Sequence, residues 1–133
     1  MAVSNVKAVF SADVETIWGI VTSLEEYSWR SDLDRIEVAE QGKRFVEYTR
    51  DGFSTEFVIT VFEPCARYEF DMENENMKGH WTGIFSCQDG VTTIDFTEAV
   101  EPKKFIMKPF VKGYLKRQQE NYIADLRKAL ENI

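Results

Sequence analysis

The 133-residue sequence predicts an α+β fold, in which a curved antiparallel sheet of seven strands wraps around one long C-terminal helix and two short helices join strands 1 and 2. Three observations carry this prediction. From Pro109 to Leu130, the residues Val111, Tyr114, Leu115, Gln118, Tyr122, Leu126 and Ala129 recur at helical spacing, with Met107 just before them. Lys116, Glu120, Arg127 and Glu131 fall on the opposite face, so one side of a long amphipathic helix is meant for burial. From Arg35 to Glu101 the pattern instead has period two, broken only by short turn signals.

The elements follow in order. Val3, Val6, Ala8 and Phe10 alternate against Ser4 and Lys7, giving a first strand over residues 2–10. Ser11-Ala12-Asp13 starts a helix, in which Val14, Ile17, Trp18 and Val21 recur until about Ser23. Leu24 to Trp29 is read as the second short helix or a turn. Six strands are then expected at Arg35–Glu40, Lys43–Thr49, Phe53–Glu63, Ala66–Glu73, Met77–Cys87 and Val91–Glu101. Gln41-Gly42, Asp51-Gly52 and Asp89-Gly90 are hairpin turns tolerating positive φ, and Pro64 ends a strand because it lacks an N–H. Hairpin-linked in this way, the strands form an antiparallel meander, and only the long helix is large enough to cover its buried face.

At this length the chain is expected to be a single domain, residues 1–133, with a substantial core. The net charge of −7 is unevenly spread: residues 1–100 hold 8 Lys and Arg against 19 Asp and Glu, while residues 101–133 hold 8 against 4. The acidic total argues against nucleic acid as the partner, since phosphate binding requires net basic surface. Lys103, Lys104, Lys108, Lys112, Lys116 and Arg117 form a basic cluster suited to an anionic ligand or membrane surface. No apolar run approaches a membrane span and no leading basic-then-apolar segment is seen. Cys65 and Cys87 have no metal-like spacing with the single His80, and a cytoplasmic protein with reduced thiols is expected.

Alternation sorts the side chains of the sheet. Phe57, Ile59 and Val61, then Tyr68, Phe70 and Met72, then Trp81, Gly83 and Phe85, then Ile94 and Phe96 share the inner face, joined by Val46 and Tyr48. Gly79 and Gly83 flank Trp81, either bending the strand or making room beside the indole. A strongly curved sheet gripping one helix leaves a gap lined by these aromatics, with a few polar tips. The residues expected to line it are Phe57, Tyr68, Phe70, Trp81, Gly83, Phe85, Phe96, Tyr114 and Gln118. Gln118 sits within the apolar face of the helix, where its amide needs a partner: a tyrosine hydroxyl, a backbone group, water or a ligand. A mostly apolar pocket with a few convergent polar groups is the usual form of a small-molecule site, so a hydrophobic small molecule or lipid is the expected partner.

Catalytic patterns are absent from the sequence. His80 and Asp95 fall on the outer parity, Cys87 continues the inner one as an inert thiol, and no nucleophile–base set, phosphate loop or metal cluster can be drawn. No cofactor, metal or catalytic residue is expected, and the oligomeric state is not encoded in any visible pattern.

Ser11-Ala-Asp-Val-Glu-Thr-Ile-Trp18 followed by Val21-Thr-Ser-Leu-Glu-Glu-Tyr-Ser-Trp29 resembles the opening of the START-like (SRPBCC) superfamily, which includes polyketide cyclase/dehydrase-like and lipid-transport domains and is related to the Bet v 1 allergens. Phe62-Glu-Pro-Cys-Ala-Arg-Tyr-Glu-Phe70 resembles the family's proline turn, and Gly90-Val-Thr-Thr-Ile-Asp-Phe96 its entry to the last strand. Asp13 stands where proline is usual, a harmless change because Asp is favourable at a helix start. The resemblance implies a helix-grip fold with a hydrophobic cavity. It also implies three functional expectations: a binding module for hydrophobic molecules, a cyclase or dehydrase using the same cavity, or a protein-interaction domain like the Hsp90-activator relatives, with a filled core. Fold alone does not choose among them.

Overall fold

A computed structural model describes residues 1–132. β1 (Ala2–Phe10) opens the chain, which then turns into α1 (Val14–Thr22). Asp13 caps that helix. Its carboxylate accepts the Thr16 N–H at 2.8 Å, a bond that holds its pKa below the usual value. Ile17 and Trp18 are the buried face of α1.

Six strands follow: β2 (Arg35–Glu40), β3 (Arg44–Tyr48), β4 (Ser54–Glu63), β5 (Arg67–Glu73), β6 (Met77–Gln88) and β7 (Val91–Pro102). The sheet order is β1-β7-β6-β5-β4-β3-β2, every pair antiparallel, so the meander is intact and β1 closes onto its last strand. The β6–β7 hairpin turns at Asp89 and Gly90, whose φ values of 54° and 77° match the twist of the flanking strands. A single 3-10 turn, Phe105–Met107, leads into α2 (Lys108–Glu131).

Helix α2 packs chiefly on β1 and β7. A reciprocal pair fixes it there. Ser4 Oγ donates to Gln119 Oε1 at 2.6 Å, and Gln119 Nε2 donates to the Ser4 carbonyl at 3.0 Å. Arg127 adds a bond to the Val9 carbonyl and lies over the Phe10 ring. The sheet curves around this helix in the expected helix-grip arrangement.

Three expectations are corrected by the structure. The second short helix does not form. Ser23 Oγ instead accepts the backbone N–H groups of Glu25 and Glu26, and the loop after it is tied to α2 by Ser31, whose N–H and hydroxyl both donate to Asp125. Side-chain capping and these long-range bonds offer that segment an alternative to helical pairing. In β4, Ile59 pairs with Phe70 but Val61 pairs with Glu69, so the register shifts at Thr60. The extra residue inverts the alternation beyond it: Val61 joins the outer face, and Phe62 opposes Tyr68. In β3 the inward residues are Phe45, paired with Phe57, and Glu47, whereas Val46 pairs with Glu56 and Tyr48 donates to Glu37 on the outer face.

Candidate functional site

Between the inner face of the sheet and α2 lies a cavity of about 470 Å³. Its sheet wall is aromatic because four adjacent strands place Phe57, Phe70, Trp81 and Phe96 on the same side. Phe70 and Trp81 stack with centroids 4.9 Å apart and planes 4° from parallel, an aromatic pair held against each other on the cavity wall. Tyr68 contributes from deeper in the wall, and Leu115, Val111 and Tyr122 close the helix side. Pockets of this size and lining suit a small, largely apolar molecule.

Polar groups line much of the rest of the cavity, and the charged ones among them are Arg30, Asp32, Glu47, Glu98 and Asp125. Arg30 donates two bonds to Asp32, at 2.8 and 2.9 Å, and reaches Glu47 at 3.4 Å across the cavity edge. Its guanidinium lies 5.0 Å from the centre of the Tyr122 ring. Burial acts to lower the Arg30 pKa, but the charges of Glu47 and Asp32 outweigh it and raise it. Burial pushes Glu47 up, with Arg30 only partly opposing. Tyr68 and Tyr122 are raised chiefly by burial, so both keep their hydroxyl protons as donors.

Glu98 is the unusual group. It lies on the same face of β7 as Phe96 and Val100, is 8% exposed, and lines the cavity. No hydrogen bond to its carboxyl is found among the described residues. Burial first, and the Glu47 charge second, raise its pKa to about 7. A carboxyl poised there can hold or release a proton near neutrality, accept a hydrogen bond when ionised, and donate one when protonated.

The nine residues expected to line the gap are distributed as follows. Phe57, Tyr68, Phe70, Trp81, Phe96, Tyr114 and Gln118 line the cavity. Gly83 and Phe85 do not. A Cβ at Gly83 would come within 2.5 Å of the Trp81 ring, so the space this glycine leaves is filled by the indole itself. Phe85 packs against Trp18 and Phe96 in the closed part of the core. Gln118 is exposed at the mouth, donating to the Tyr114 hydroxyl at 3.0 Å, and Tyr114 is half-exposed. The buried amide is its neighbour Gln119, 5% exposed. Docking on β1 turns the helix so that Val111, Leu115, Gln119 and Leu126 face inward.

Cys87 keeps the inner parity, opposite Thr92, but is exposed near the end of its strand. His80 is on the outer face as expected. Partial burial works against its charge, yet bonds to Asp71 at 2.6 Å and Glu69 at 2.7 Å raise its pKa, marking an ion-paired surface histidine. Arg30, Glu47 and Glu98 were missed in the sequence. Continuing the β7 alternation two residues past Phe96 reaches Glu98, so that signal was available. Glu47 was obscured by the apolar Val46 and Tyr48 on either side of it.

The family model for polyketide cyclase / dehydrase and lipid transport proteins matches residues 1–131. The chain belongs to this family. Among solved structures, a START superfamily protein from Mycobacterium smegmatis superposes with a TM-score of 0.84 at 17% identity, covering 99% of each chain. A conserved protein from Geobacillus kaustophilus gives 0.82 at 13% identity, covering 98% of this chain and 95% of its own. The di-domain ARO/CYC BexL from the BE-7585A biosynthetic pathway gives 0.80 at 12% identity, with 98% of this chain matching 47% of that one. At such identities these likenesses establish the fold. No curated protein is significantly similar in sequence. The family membership and the helix-grip architecture agree with what the sequence resemblance implied.

Proposed function

We propose that this polyketide cyclase / dehydrase and lipid transport family member binds a hydrophobic small molecule or lipid in the cavity between sheet and helix. The observation that carries the reading is the aromatic wall of Phe57, Phe70, Trp81 and Phe96 facing about 470 Å³ of space. An apolar or aromatic portion of a ligand packs against that wall, and its polar end meets Glu98 and the Arg30–Glu47 pair. Lining a cavity of this kind also weighs against the interaction-domain alternative, which is expected to have a filled core. The two free thiols, one half-buried and one exposed, fit a reducing cytoplasmic setting.

Native mass spectrometry of the purified protein, followed by denaturing extraction, tests the reading. A defined co-purifying apolar molecule, or stabilisation of the apo protein by an extract of lipids and apolar metabolites, is the expected result. A bare mass together with no stabilisation by any such extract would sink it.

Glu98 favours a second reading, catalysis of the cyclase or dehydrase kind. Such reactions require removal of a proton next to a carbonyl, and a carboxyl with a pKa of about 7 suits a general base. Protonated Tyr68 or Tyr122 would hydrogen-bond the carbonyl oxygen. Deuterium exchange into an aromatic β-diketone, measured against its exchange in buffer alone, distinguishes the two: catalysis requires a rate enhancement that Glu98→Gln abolishes while binding is retained, and simple binding gives none.

A further inference from the structure

Between Pro102 and Gln119 the chain holds six cations and no acid, in a protein whose net charge is −7. The same stretch carries the most exposed large apolar side chains apart from the N-terminal Met1: Phe105 at 82%, Ile106 at 77% and Phe110 at 71%. These project from the 3-10 turn and the first turn of α2 and line no groove. Lys103 is engaged with Glu73, and Lys116 reaches the Asn5 carbonyl. Lys104, Lys108 and Lys112 make no ion pair among the described residues, and Lys108 Nζ lies 5.4 Å from the Phe105 ring centre. Opposite these side chains, Met107 and Val111 of the same segment line the cavity mouth.

We infer that this segment is a docking surface for an anionic lipid bilayer, with Phe105, Ile106 and Phe110 entering the headgroup–acyl boundary and Lys104, Lys108 and Lys112 meeting lipid phosphates. Charge complementarity selects this occupant. A protruding apolar tip ringed by lysines fits a deformable anionic surface, where apolar side chains sink below the headgroups and basic ones remain among them. A second copy of this acidic chain would meet the lysines with an identical basic patch, since a two-fold contact repeats the same surface. Among the described residues, no helix is long and apolar enough to cross a membrane, so the contact is peripheral. It does not depend on what the cavity holds.

Co-sedimentation of the full chain with phosphatidylcholine vesicles, with and without phosphatidylserine, tests the inference. Binding is expected only when phosphatidylserine is present, and it should weaken as salt is raised. Replacing Lys104, Lys108 and Lys112 by Glu should lower the partition roughly fivefold or more for each lysine changed. The triple change Phe105→Ser, Ile106→Ser, Phe110→Ser should lower it at least about tenfold, with the melting temperature unchanged because these side chains are exposed. Phe110→Ser alone serves if the triple variant unfolds. The inference is overturned if the wild type stays in the supernatant with both vesicle types, or if the serine variant binds as the wild type does. It is equally overturned if the wild type is a dimer that the serine changes dissociate and no vesicle is bound, since the patch then serves a second copy.

Discussion

At the α1 end of the inner face, Trp18 lies edge-on to Phe62, Tyr68 and Phe85, with centroids 5.3, 6.0 and 4.9 Å away, and Phe85 in turn packs on Phe96. At the other end, residues of β2, β3 and the start of α2 border the cavity, and Arg30, Glu47 and Glu98 stand among the aromatics. Both ends draw on the same inward strand positions, but a tryptophan from a second helix fills one and only the single long helix spans the other. The closed end supplies stability. The open end leaves apolar surface and, among the described residues, a carboxyl without a hydrogen-bond partner, the arrangement a ligand site requires.

Mutations separate the two ends. The largest effect is expected for Phe85→Ala in the closed end, a loss of about 3–5 kcal/mol from the cavity it creates, read by chemical denaturation. Phe70→Ala, on the cavity wall, should lose clearly less stability but weaken binding of an apolar probe. Equal losses would erase the distinction between the ends.

Glu98→Gln comes next. Burial keeps folded Glu98 protonated up to about pH 7, whereas the unfolded chain releases that proton near the ordinary value of 4.5. The folded state therefore binds more protons in this window, and stability falls as pH rises through it. The glutamine variant should lose that slope and exceed the wild type above pH 7 by on the order of 3 kcal/mol. Parallel stability–pH curves for the two proteins would show that Glu98 is not desolvated.

The smallest contrast lies on α2. Gln119→Leu removes both bonds to Ser4 and should destabilise by about 1–3 kcal/mol, whereas Gln118→Leu should stay within about 0.5 kcal/mol. Reversal of that order in thermal melts would restore the helix rotation that the sequence alone suggests.

That rotation illustrates what could be read in advance. The seven strands, their turns and the long helix were legible, because alternation, Gly-containing turns and a helical apolar stripe are local signals. Most of the cavity wall followed from the same alternation: Phe57, Phe70, Trp81 and Phe96 needed only parity. What failed depended on distant partners. Choosing Gln119 over Gln118 requires knowing that Ser4 lies opposite, and the inward turn of Glu47 requires knowing that Arg30 meets it. The inversion beyond Thr60 arises from one unpaired residue, which leaves no mark in the hydrophobic pattern.

The most direct measurement is an equilibrium titration with the neutral fluorophore N-phenyl-1-naphthylamine, following its emission and energy transfer from tryptophan. If the open end is a binding cavity, the wild type takes up one probe saturably, and Trp81→Leu weakens the uptake while the fold persists. A cooperatively folded wild type that shows no saturable uptake would contradict a ligand cavity at that end.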